Sequence, residues 1–344
     1  MANSRFSKVD EYGFERPSDF DYESYEDFMS QYLKVLAKRA KKWSTLMIDA
    51  GTFSKSRLAK RYIRKGIPSE HRGAVWLAVS GAEALKANFE PNLYDAMLEG
   101  PLDEKVDEII RTDLPRTFPD NIYFNSTDNH QQQLYRVLAA YAYHNPTVGY
   151  CQGLNYVAGM LLLVTHSEDT SFWLLKVLVE NKLPDYYSPT MDGVITDMEV
   201  LSELVKEKFP DIHSHLNSVG LPWTVITTKW FMCLFAEVLP TETALRVWDC
   251  LFYEGSKILF RVGLSLIGKH KQDILRCEDF ASVVQLFKDM TQDSFALHCH
   301  EFMQNVFRIP GTLKRSHIER LRGRISEEHR KAKEAKATES KTPL

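Results

Sequence analysis

The chain has 344 residues, 44% of them apolar and 12% aromatic, enough to bury a large core as one large domain or two modest ones. Its 43 basic and 46 acidic residues leave a formal charge of -3, so no global field selects nucleic acid or an anionic membrane, and binding determinants have to be local. Five cysteines, Cys151, Cys233, Cys250, Cys277 and Cys299, are odd in number and form no CxxC pair. They argue against a disulfide framework or zinc ribbon and suit a reducing cytosol. Residues 1–17 are polar and charged, without the apolar core of a secretory signal. The longest apolar stretch, residues 157–164, falls well short of the roughly 20 residues of a membrane-spanning helix.

Taken in chain order, helix signals recur. Over residues 21–46, Tyr25, Phe28, Tyr32, Leu36 and Trp43 fall at helical spacing and define one buried stripe. A basic helix follows, with Ser54 as its cap and Gly66 as its stop, and Pro68-Ser69 opens another that carries Arg72 and Trp76 one turn apart. Residues 101–112 are predicted helical with Val106, Ile109 and Ile110 inward. That helix ends near Asp113 or Leu114, because Pro115 disfavours helical geometry in the residue before it, and Arg116 falls just outside. Ser126 or Thr127 can cap a helix through Leu134, Val137, Leu138 and Tyr141, which Asn145-Pro146 terminates. A turn over residues 149–153 then feeds the apolar segment from Leu154.

Further helices are predicted over residues 170–180, 194–209, 225–238, 241–253, 258–275, 280–290 and 295–307, punctuated by Pro184, Pro210, Pro240 and Gly255. With no period-two alternation, the predicted fold class is all-α, multi-helical, with no significant sheet. Beyond Lys314 apolar residues are few and charge is dense, the pattern of a frayed helix passing into disorder.

Two short segments carry residues that could do chemistry. Arg116 stands three residues after Asp113, within reach of a charge-assisted bond, with Pro115 stiffening the loop between them. Gln152 lies in a turn between Gly149 and Gly153, glycines that let the backbone approach another surface closely, and Tyr150 reads as a packing residue. Taken singly, Arg116 reads as an ordinary exposed loop arginine and Gln152 as an amide satisfying its own turn. Taken together they are the side-chain types that assisted GTP hydrolysis uses. A guanidinium stabilises the charge that develops on the transferring phosphoryl group, and a neutral carboxamide positions the attacking water by accepting one hydrogen bond and donating another.

The segments Ile110-x-x-Asp113-x-x-Arg116 and Tyr150-x-Gln152 resemble the two finger motifs of TBC domains, the GTPase-activating modules for Rab GTPases. Arg64-Lys65-Gly66-Ile67-Pro68 followed by Arg72-Gly73-x-x-Trp76 resembles that family's opening box. Arg246-x-Trp248-Asp249-x-Leu251-Phe252-x-Glu254-Gly255 resembles its later one, in matching order and spacing. The resemblance implies a Rab-GAP TBC core over residues 66–256, further helices of the same fold over 257–310, an N-terminal helical extension over 1–65, and a charged, disordered tail over 311–344. It implies that Arg116 is the charge-stabilising finger, Gln152 the water-positioning finger and Asp113 the residue that orients Arg116. Gly149, Tyr150, Gly153, Arg72 and Trp76 would support the motifs or meet the GTPase, with bracing between helices favoured for Arg72 and Trp76. Trp248, Asp249 and Glu254 read as packing and hydrogen-bonding residues.

On this reading the chain is an activator in trans, not an enzyme by itself. GTP and Mg2+ belong to a GTP-loaded Rab partner, no cofactor of its own is needed, and the absence of a Walker-type loop agrees with that. The implied setting is vesicle trafficking, cytoplasmic, with any recruitment to endomembranes through the partner. Two competing readings are a non-catalytic Rab-binding module using the same helical groove, and an autonomous cysteine hydrolase built on Cys151 and His144. No metal is assigned, since His298, Cys299 and His300 point different ways on a helix and no second ligand cluster has zinc-like spacing.

Overall fold

The computed structural model describes residues 8–49, 55–125 and 129–339. Among the described residues β-structure is limited to isolated bridges pairing Val9 with Glu15 and Phe14 with Asn121; the rest is helices and their connections, as the periodicity predicted. The aromatic stripe forms the helix Tyr22–Asp49. Tyr32 and Trp43 are buried on its inner face, and the Trp43 indole donates to the carbonyl of Gly66 at 3.0 Å. The basic helix is Arg57–Lys65, opened by Ser56, whose hydroxyl accepts from the Ala59 amide at 3.0 Å, and closed at Gly66 with φ 103°. The caps expected at Ser54, Ser126 and Thr127 lie outside the described residues; the helix that the last two were to open runs His130–His144.

The centre of the molecule is built from helices that are apolar on nearly every face, the mark of full burial. In Leu154–Thr165 the residues from Leu154 to Val164 are buried apart from Tyr156, and Thr241–Glu254 and Lys257–Lys269 are almost as enclosed. The two sequence boxes meet on one carboxylate here. Asp249 has no exposed surface, and it accepts from Arg72 Nε at 3.1 Å, Trp76 Nε1 at 2.9 Å and the Ile67 amide at 3.0 Å. Arg72 then reaches Glu242 with both Nη atoms at 3.1 Å and the Tyr12 hydroxyl at 2.5 Å. Nearby, Arg64 grips Glu254 through two bonds of 2.6 and 2.7 Å.

Several predicted elements come out differently. The helix expected over 225–238 is Trp223–Met232, after which Leu234 and Phe235 adopt left-handed φ of 50° and 64°. Tertiary donors explain the break: Tyr187 takes the carbonyl of Met232 and Trp248 that of Leu234, each at 2.8 Å. The span 258–275 divides at His270 into Lys257–Lys269 and Lys271–Arg276, and 295–307 divides into Ser294–Leu297 and Cys299–Arg308. Pro210, read as punctuation, opens the helix Pro210–Ser218, a first-turn position where a missing N–H costs nothing.

The charged tail, expected as a frayed helix passing into disorder, is helical over its described part. Arg315–Glu339 is a continuous helix that buries Ile318, Leu321 and Ile325. Arg322 holds the buried Asp197 on the helix Asp192–Lys208 through bonds of 2.7 and 2.6 Å. A thin apolar stripe at helical spacing suffices once a bidentate ion pair anchors it. No helix among the described residues is long and apolar enough to cross a membrane.

The Asp249 node sets an expectation for stability. Asp249→Ala removes one of the two carboxylates that hold Arg72 and leaves the Trp76 indole and Ile67 amide without their acceptor. We expect a loss of about 3–5 kcal/mol in urea unfolding, whereas a change below about 1 kcal/mol would show that the node contributes little.

Candidate functional site

The arginine segment grows out of the helix Glu104–Asp113, whose first turn is capped by Asp103 accepting from the amides of Lys105 and Val106. Pro115 ends the α-helix, and the chain continues as one 3-10 turn, Leu114–Arg116. The Thr117 hydroxyl then donates to the carbonyl of Asp113 at 2.8 Å. Phe118 turns left-handed at φ 50° and drives its ring inward, edge-on against Phe14 at 5.1 Å and Tyr156 at 5.3 Å. Arg116 is left at the surface with its side chain 68% exposed. Ile109, predicted to face inward, is instead 49% exposed on the same helix, while Ile110 takes the buried position. Successive residues on a helix diverge by about 100°, so one of the two had to face outward.

The glutamine turn needs its glycines. Gly149 and Gly153 have φ of 57° and 107°, values that only glycine adopts freely. A Cβ on Gly153 would stand 3.1 Å from the carbonyl oxygen of Met232, whereas one on Gly149 would meet nothing nearer than 3.8 Å. Gly153 thus serves close approach within the chain. Gln152 itself is exposed.

Three side chains stitch the two loops together. Tyr150 donates its hydroxyl to Asp113 Oδ2 at 2.7 Å. Asn155 donates to the Thr117 hydroxyl at 2.8 Å while its own oxygen accepts from the Gly153 amide at 3.0 Å. Tyr156 donates to the carbonyl of Arg116 at 3.1 Å. Asp113 is nearly buried, and its contact with Arg116 is long, 3.9 Å from Oδ1 to Nη1. Its short bond goes to Tyr150, so it positions the loop more than the guanidinium tip. Burial, and then the hydrogen bond to Asp113, raise the Tyr150 phenol above the usual tyrosine range.

The sequence offered Tyr150 as a packing or motif-supporting residue, without its bond to Asp113, and missed Thr117, Asn155 and Tyr156 altogether. The available signal was an asparagine and a tyrosine opening an otherwise apolar helix. Arg72 and Trp76 are not part of this surface: both are buried on Asp249. Cys151 and His144 are engaged apart from each other. The Cys151 sulfhydryl lies against the Gln152 carbonyl and burial pushes its pKa up, while His144 Nε2 sits 2.7 Å from Lys176 Nζ and packs on Phe89 and Phe172.

Residues 69–275 match the model of the Rab-GTPase-TBC domain. This chain belongs to that family. It is 49% identical to Growth hormone-regulated TBC protein 1 of Mus musculus, with 93% of this chain and 94% of that protein covered. It is 34% identical to the GTPase-activating protein GYP3 of Saccharomyces cerevisiae over 77% of this chain and 51% of that one. Among solved structures it is similar to the TBC domain of the Chlamydomonas flagellar RabGAP, with a TM-score of 0.77, 32% identity, and coverage of 88% of this chain and 100% of that chain. Within this TBC fold, the matched residues extend past the later box and take in the helices Lys257–Lys269 and most of Lys271–Arg276.

Tyr150→Phe keeps the ring and deletes the bond to a nearly buried carboxylate, so we expect it to destabilise the fold by about 1–3 kcal/mol. The raised phenol pKa also fixes a sign. The folded state holds this proton more tightly than the unfolded chain, so the contribution is full below pH about 10 and fades as pH rises above it. Urea midpoints measured across the alkaline range should fall less steeply in Tyr150→Phe than in the wild type; identical slopes would exclude this assignment.

Proposed function

We propose that this chain is a GTPase-activating protein for a Rab-family small GTPase, to whose bound GTP it supplies Arg116 and Gln152 in trans. The observation that carries this reading is the cross-linked pair of loops, which presents an exposed guanidinium and an exposed carboxamide from adjacent turns. Family membership and the name of the yeast relative, a GTPase-activating protein, support the same class of activity.

In this mechanism Arg116 meets the charge that builds on the transferring phosphoryl group, where a donor held in place acts on the transition state more than on the ground state. Gln152 accepts from the attacking water and donates to a phosphoryl oxygen, and stays neutral throughout. Asp113 positions the arginine loop through Tyr150. The exposed Ile109 offers the partner an apolar contact on the helix that leads to Arg116. GTP and Mg2+ are the partner's, and this chain brings no cofactor. It works in the cytoplasm and reaches endomembranes in the company of its GTPase.

Single-turnover hydrolysis across a panel of GTP-loaded Rabs tests the proposal. We expect acceleration for at least one Rab, a loss of about 10³ to 10⁵ in rate for Arg116→Ala, and a smaller loss for Gln152→Ala. Rab binding should persist in both variants. Undiminished turnover in Arg116→Ala would overturn the assignment, and tight binding without acceleration by the wild type would leave a non-catalytic binding module.

A further inference from the structure

The buried Arg72 guanidinium is matched by two carboxylates, Asp249 and Glu242. Arg39, like the buried Arg246 and Arg261, pairs with no carboxylate among the described residues. It is only 6% exposed, and its Nε and one Nη are buried without a hydrogen-bond partner. Its other Nη donates to the Tyr32 hydroxyl at 3.2 Å, an oxygen it shares with Arg246 at 3.1 Å. Two guanidiniums therefore lean on one neutral acceptor. They also crowd the same backbone position, since a Cβ on Gly66 would lie 2.4 Å from Arg246 Nε and 2.7 Å from Arg39 Nη1. Burial, then the Arg246 charge, lower the pKa of Arg39, the direction expected of a cation short of counter-charge.

Arg39 lines a cleft of about 300 Å³ between the Tyr22–Asp49, Arg57–Lys65 and Cys299–Arg308 helices, together with Lys38, Lys42, Trp43, Lys65 and His300. None of its lining residues is acidic. The His300 Nδ1 is also buried without a partner. Burial disfavours the charged imidazole, and Arg246, Arg39 and Lys65 add to that effect, so every charge acting on His300 is positive. Lys38, Lys42 and Lys65 are exposed, while the buried Trp43 indole forms part of the wall.

We infer that this cleft binds a compact anion carrying more than one phosphate group. The planar fork of Arg39 suits a phosphate oxygen pair, and its unused donors are what such a ligand would satisfy. The exposed ammoniums at the rim would neutralise a further phosphate as mobile point charges. The volume is at the lower end of the roughly 300–1,000 Å³ of small-molecule sites, which limits the ligand to a small ring or chain. A soluble organic phosphate and the phosphorylated headgroup of a lipid share this chemistry.

Two probes separate those sources: pyrophosphate in calorimetric and thermal-shift titrations, and phosphatidylcholine vesicles with or without a few mole per cent of phosphatidylinositol bisphosphate in co-sedimentation with the full chain. We expect saturable binding to one of them. Lys42→Glu, at an exposed position that leaves folding intact, and Arg39→Met should each weaken it by at least about tenfold. Binding of pyrophosphate assigns a soluble anion, and binding only to the phosphorylated vesicles assigns a headgroup; either supports the inference. Arg39→Met should fold at least as well as the wild type, since it removes an unbalanced buried charge. Failure of both probes to saturate, or unchanged affinity in Lys42→Glu, would overturn the inference. No GTPase is present in these assays, so their outcome is independent of the role proposed for Arg116.

Discussion

A carboxylate sealed from water, Asp249, joins the early part of this chain to the late part. Burying that charge is unfavourable unless every lone pair is engaged, and three donors drawn from residues 67–76 engage it. The engagement extends outward in steps. Arg72 passes from Asp249 to Glu242 and Tyr12, the Tyr12 carbonyl accepts from Asn121 at 2.9 Å, and the neighbouring Phe14 lies edge-on to Phe118. Contacts that begin in the core thus end directly beneath the Arg116 turn. The sequence boxes that looked separate are one mechanical support.

The glutamine loop rests on a different kind of support. Behind Gly153 lies the carbonyl of Met232, and just beyond it Leu234 and Phe235 hold left-handed backbone without being glycine. Such residues carry on the order of 1–2 kcal/mol of strain each. Both side chains are fully buried, and Tyr187 and Trp248 supply donors to the displaced carbonyls. The wall that shapes the Gln152 turn is therefore made by residues distant in sequence, brought together only by the finished core.

That difference explains what could be read from sequence and what could not. The helices Tyr22–Asp49 and His130–His144 were legible because each buries one stripe, and the stop at Pro115 was legible because it follows from local sterics. Arg116 and Gln152 stood out by residue type and neighbourhood. The break after Met232 was invisible, since no glycine or proline marks it and its cause is a pair of distant donors. The docking of the tail helix was hidden for a related reason: its charge density resembles a frayed end until Asp197 is placed opposite Arg322. The bond from Tyr150 to Asp113 and the unbalanced Arg39 likewise exist only as tertiary juxtapositions.

The 3.9 Å separation between Arg116 and Asp113 has a bearing on how the arginine would be used. Its anchor is at the main chain, where Tyr156 fastens the Arg116 carbonyl, and Asp113 has already given its short bond to Tyr150. The tether is fixed at its root while the tip keeps its rotational latitude. A visiting anion would recruit that tip without first having to break a tight internal ion pair.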